Sequence, residues 1–143
     1  MTQAPITGVR VGRHECYDRL VIDLGTMPAA GYTVRYSDGF SADGSGAPLL
    51  VWGGAILTVT VNAPADDING DPSTTWRAGT VIRRPDQFSS ARFRTFRDLV
   101  FGGSFEGYGS FGLGVRARLP FRVFQLVGPS DGSRLVIDVA HRW

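Results

Sequence analysis

Apolar positions along this chain recur every second residue, in short runs separated by clusters of Gly, Pro, Asp and Ser. A period of two places alternate side chains on opposite faces of an extended strand, whereas a helix would repeat every three to four. Ile6–Arg13 alternates loosely, and Tyr17–Leu24 is strongly strand-like before Gly25 and Pro28 end it. Residues 32–36 form the next run, closed by the turn pair Asp38-Gly39. In residues 55–62, Ile56, Thr58 and Thr60 alternate with Leu57, Val59 and Val61, and either set suits a buried face. A brief strand is expected over 80–84 and a helical turn over 86–91, behind Pro85. The C-terminal half adds strands over 93–101, 108–118, Phe121–Val127 and 134–139, with Gly102-Gly103, Leu119-Pro120 and the Gly-Pro-Ser-Asp-Gly run at 128–132 between them. About eight short strands with little helix predict an all-β fold, an antiparallel β-sandwich that fills residues 1–143 as one domain.

Two stretches break the pattern. Residues 41–48 read as a Gly/Ser/Asp loop, and residues 63–79 are rich in Asp, Pro, Ser and Thr, a length of connection that is usually functional or mobile. One repeat stands out: Arg19-Leu20-Val21-Ile22-Asp23 returns as Arg134-Leu135-Val136-Ile137-Asp138. If the two strands pair antiparallel about Val21 and Val136, Arg19 faces Asp138 and Asp23 faces Arg134, and these four residues are structural.

Composition narrows the chemistry. All fifteen cations are Arg, and only Glu15 and Glu106 among thirteen acids are Glu. Without Lys there is no Schiff base, no P-loop and no kinase-type strand Lys. The Arg-for-Lys exchange reads mainly as codon bias, while the shortage of Glu agrees with a strand-rich chain. A net charge of +2 does not call for nucleic acid. The single cysteine, Cys16, rules out an internal disulfide and a multi-cysteine zinc site. No apolar run reaches membrane-span or signal-peptide length, so export would require a leader upstream of Met1.

Four clusters are candidates for chemistry. Gly107-Tyr108-Gly109-Ser110-Phe111-Gly112 matches G-x-G-x-x-G, but residues 113–118 continue as strand where a dinucleotide site needs a helix, so a bending, close-packed strand is expected and no nucleotide. Asp67, Asn69 and Asp71 have the spacing that opens a calcium loop, yet Pro72 and Ala78 stand where Gly and Glu belong. His14, Glu15 and Cys16 are adjacent, with His141 the other imidazole, and a small hydrolase using Cys16 or His14 is the remote alternative to a turn between the first two strands. Arg83, Arg84, Arg92, Arg94 and Arg97 interleave with Phe88, Phe93 and Phe96 shortly after Trp76. Trp76 and these arginines are the candidate ligand-binding residues, because guanidinium forks suit carboxylate and phosphate and aromatic faces suit sugars. The competing reading is a solvated Arg face with its Phe residues turned inward.

Ser104-Phe105-Glu106-Gly107, Phe111-Gly112-Leu113-Gly114, Phe121-Arg122-Val123-Phe124-Gln125-Leu126 and Arg134-Leu135-Val136-Ile137-Asp138-Val139-Ala140-His141, in that order, resemble the AMIN-like domain of actinobacterial secreted proteins and lipoproteins. The stretch from Gly12 through Cys16 and Tyr17 to Leu24 is similar to that domain's opening strand. The resemblance implies a non-catalytic, extracytoplasmic β-sandwich with no cofactor and no metal. It would bind peptidoglycan or another wall polymer, or localise an envelope protein; a lipoprotein's interaction domain without polymer affinity is the alternative. No catalytic residue carries over, and Glu106 within its motif is expected to be structural.

Overall fold

The computed structural model describes residues 6–25, 31–63, 77–90, 93–105, 107–127 and 132–143. Trp76, Arg92, Glu106 and the Asp67, Asn69, Asp71 triplet lie outside them. Two antiparallel sheets face each other. Strands β1 (Ile6–Arg13), β2 (Tyr17–Leu24), β10 (Phe121–Val127) and β11 (Ser133–Ala140) form the first, in the order β1-β2-β11-β10. The second runs β3-β6-β9-β8-β7, from β3 (Tyr32–Ser37), β6 (Ala55–Val61), β7 (Val81–Arg83), β8 (Phe96–Phe105) and β9 (Tyr108–Val115). Two-residue strands β4 (Phe40–Ser41) and β5 (Pro48–Leu49) pair with each other across the two ends of the expected 41–48 loop. The one helix among the described residues, α1 (Pro85–Ser90), sits where the helical turn was expected.

Period-two patterning explains the packing. Leu20, Ile22, Leu135 and Ile137 of the first sheet meet Leu57, Val59, Val61, Leu99, Phe101, Phe111 and Leu113 of the second in one buried core. The ambiguity in β6 is thus resolved for the Leu/Val set, which adds larger aliphatic area to the core than Thr58 and Thr60 would. The repeated pentapeptides pair as their charges require: β2 and β11 run antiparallel with Val21 opposite Val136 and Arg19 opposite Asp138. Asp23 is opposite Arg134 in the backbone register, but its carboxylate takes a two-point contact from Arg10 of β1, at 2.8 and 2.9 Å.

Gly102-Gly103 does not end a strand. β8 continues through it to Phe105 with a bulge between Phe101 and Gly103, and Gly103 holds a φ of 109°, which an L side chain rarely adopts. Gly107 of the G-x-G-x-x-G run sits in the turn before β9, while Gly109 and Gly112 lie within the strand. A Cβ at Gly112 would stand 2.8 Å from the Phe40 ring, and one at Gly114, two residues on, only 1.8 Å from the Trp52 carbonyl oxygen. Bare backbone on the sheet's outer face is what allows the 40–54 segment to lie flat on it. Phe40, Val51 and Val100 make a second small core there, with Leu49 and Ile56 against it.

Candidate functional site

The overlying segment builds a cleft on the outer face of the five-stranded sheet. Asp98 of β8 accepts the Trp52 N–H at 2.9 Å, and Gly54 N–H donates to the Val115 carbonyl at 2.8 Å. With the backbone pinned at Trp52 and Gly54, Leu50 and Trp52 stand outward, 69% and 59% exposed. Gly79 ahead of β7, Val81 within it, Arg84 after it, and Pro85 and Asp86 at the start of α1 line the cleft with them, as do Leu49, Asp98 and Val100, around about 710 Å³. Burial pushes the Asp98 carboxyl up from its ordinary value, opposed by the N–H groups of Trp52 and Leu99. The cleft therefore offers an exposed indole, an apolar lining, and one guanidinium and one exposed carboxylate beside it. Such a surface suits an elongated ligand with one apolar face and polar edges.

The candidate arginines are distributed over different surfaces. Arg84 lines this cleft. Arg83 lies with its guanidinium 5.9 Å from the Phe88 ring centroid. Arg97 donates to the Phe96 carbonyl at 3.0 Å. Arg94 lines a separate hollow with Arg116 and Arg142. Phe88, Phe93 and Phe96 turn inward and pack on one another with centroids 5.2 to 5.9 Å apart. The interleaving of Arg and Phe thus records the two sides of a peptide pattern, one wet and one buried. Leu50 and Trp52 went unnoticed in the sequence; their signal was the apolar run Leu49-Leu50-Val51-Trp52 between Pro48 and Gly53-Gly54, directly after the expected 41–48 loop.

The nucleophile pair is not assembled. His14 stacks on Tyr17 with centroids 4.8 Å apart in the turn between β1 and β2. His141 is buried with Nε2 at 2.9 Å from Asp18 Oδ1 and Nδ1 at 3.1 Å from the Glu15 carbonyl. Cys16 is a free, exposed thiol, and among the described residues neither imidazole bonds to it.

On the outer face of the four-stranded sheet, Arg19 and Arg122 both hold Asp138, at 2.7 and 2.8 Å. Each guanidinium also lies 5.0 to 5.5 Å from the ring centroids of Tyr17 and Phe124. This cover leaves Asp138 2% exposed although it points away from the core. Burial alone would push its carboxyl up, but hydrogen bonds and charge from the two arginines outweigh it, and it titrates below its ordinary 3.8. A depressed folded value contributes stability that is fully present above 3.8 and is lost as pH falls through the lower folded value. Denaturant melts across that acid range should show a shallower acid loss for Asp138→Asn than for the parent; an unchanged acid limb would assign the loss to other carboxylates.

The profile of the AMIN-like domain family matches residues 4–141, nearly the whole chain. Among curated proteins and among solved structures, nothing matches the chain significantly. The two-sheet architecture and the charge-bracketed β2–β11 pair fall within the matched span. The chain belongs to the AMIN-like domain family, whose members are typically non-catalytic domains of the cell envelope.

Proposed function

We propose that this domain is an extracytoplasmic binding module that holds a cell-wall polymer, peptidoglycan first, in the cleft between the 49–52 segment and β7. The observation that carries this reading is Trp52: an indole 59% exposed, on a backbone fixed by Asp98, beside about 710 Å³ of open cleft. A large aromatic face held rigidly loses little conformational entropy when a sugar ring settles on it. Arg84 supplies a fork for a stem-peptide carboxylate, and Asp86 an acceptor for hydroxyl or amide hydrogens. Arg83, Arg94 and Arg97 serve other surfaces in this reading. Among the described residues no helix is long and apolar enough to cross a membrane.

Co-sedimentation with purified peptidoglycan tests it. The parent should be retained at low salt, and Trp52→Ala should weaken retention by about 2 kcal/mol, roughly 30-fold, the scale of an aromatic hot spot. No retention of the parent removes the polymer reading. The apolar share of the cleft, with Leu50 and Val81 both exposed, favours one second reading, in which an envelope protein occupies the same cleft. Partner recovery in pull-downs that survives complete digestion of wall material, and that Trp52→Ala abolishes, would select it.

A further inference from the structure

A second concavity lies at one end of the sandwich, where β2 and β11 of one sheet approach the start of β8 and the end of β9 in the other. It encloses about 520 Å³ and shares no lining residue with the cleft. Three guanidiniums from three places in the chain line it: Arg94 ahead of β8, Arg116 after β9 and Arg142 after β11. Among the described residues no carboxylate lies within ion-pair distance of any of them. Glu15, the acid in the lining, is unpaired with them as well.

The hollow is built on a fixed frame. Its floor is His141, whose ring is bonded to Asp18 and to the Glu15 carbonyl. Arg116 is tied at both ends, its N–H donating to the Thr95 carbonyl at 2.9 Å and its guanidinium to the His141 carbonyl. His141 N–H donates to the Cys16 carbonyl at 3.0 Å, and the Thr95 hydroxyl to the Ala140 carbonyl at 2.9 Å. Three guanidiniums against one lining acid, Glu15, leave the hollow an excess of positive charge whose members repel one another. An anion from outside relieves that repulsion.

We propose that this hollow is a phosphate-binding site, engaging a phosphate borne on an anionic envelope polymer. A carboxylate presents its lone pairs in one plane and is filled by one or two forks; a phosphate presents oxygens in three dimensions and accepts from forks that arrive from separate elements. The lining holds no large apolar side chain that could enter the acyl region of a bilayer. The phosphate site stands on the hollow alone; its placement on a polymer rests on the envelope reading above.

The test is a titration of the full chain with inorganic phosphate at low ionic strength, followed by backbone-amide NMR. Saturable shifts at Arg94, Arg116, His141 and Arg142 are expected. The double variant Arg94→Gln/Arg142→Gln, at two exposed positions, should bind at least about tenfold more weakly. Trp52→Ala should bind phosphate as the parent does, which separates this site from the cleft. No saturable shift at the hollow, or a double variant that binds like the parent, overturns the proposal. Retention on phosphatidylglycerol vesicles that depends on the same two arginines, without binding of free phosphate, also overturns it and makes the hollow a membrane contact.

Discussion

Asp18→Ala is expected to remove about 3–5 kcal/mol of folding stability, the cost of orphaning several buried hydrogen-bonding groups at once. Asp18 lies on the core-facing side of β2 and is fully buried. One oxygen accepts the N–H groups of Thr95 and Phe96, at 2.7 and 3.0 Å, and the other is 2.9 Å from His141 Nε2. Thr95 and Phe96 lead into β8 of the opposite sheet, so a single carboxylate joins the two layers at the end where hydrophobic packing stops. Alanine leaves two buried N–H donors and a buried imidazole without that partner, and each orphaned donor costs roughly 1–3 kcal/mol. Asp18→Asn keeps one acceptor oxygen and should fall between alanine and the parent. Guanidinium unfolding at neutral pH measures the series. A loss below about 1 kcal/mol for alanine would mean that water replaces the carboxylate and that the two sheets are held by the core alone.

Gly114→Ala is the second large effect, because the obstacle is main chain. The added methyl would meet the Trp52 carbonyl oxygen at 1.8 Å, and a backbone atom pinned by the Asp98 contact cannot rotate aside. Overpacking of this kind costs about 1–3 kcal/mol and occasionally more, and the upper end is expected here. Gly12→Ala is the control: its nearest neighbour would be His14 Nε2 at 3.9 Å, so the change should be neutral or slightly stabilising. Gly112→Ala belongs between them, since the atoms in its way are side-chain atoms of Phe40 and Val51, which can give. Because the 49–52 segment forms one wall of the cleft, Gly114→Ala should also reduce peptidoglycan retention, whereas Asp18→Ala protein that remains folded should retain it. Thermal unfolding and sedimentation on the same samples separate the two. A Gly114→Ala protein with parental stability and retention would show that the segment does not rest on the sheet as described.

The legible parts of the structure share one property: they depend on neighbours in a strand or directly across a ladder. Alternation marked β2, β6 and β11, and the charged ends of the repeated pentapeptides specified which residues of β2 and β11 stand opposite one another. A one-residue slip would have turned Leu20 and Ile22 out of the core, so pattern and charge agree on a single register. The exchange of Arg134 for Arg10 as the bidentate partner of Asp23 was not legible. A guanidinium on a flexible stem reaches whichever carboxylate on any adjacent strand presents its edge, and β1 supplies a neighbour that the repeat does not encode.

The candidate sites were harder to read for the same physical reason. The sequence by itself determined an all-β chain and the need for glycine in β9, and it offered the pentapeptide ladder and the inward Phe set as readings for the structure to decide, because each follows from local geometry and periodicity. Tertiary structure alone decided what the glycines admit, which is the Phe40 ring and the Trp52 backbone. It alone placed Trp52 and Leu50 in the open, and it gathered Arg94, Arg116 and Arg142 around one hollow. Exposure of a loop side chain depends on what the folded sheet leaves uncovered. Convergence of charges far apart in the chain depends on which strand ends meet, and no period along the sequence carries either quantity.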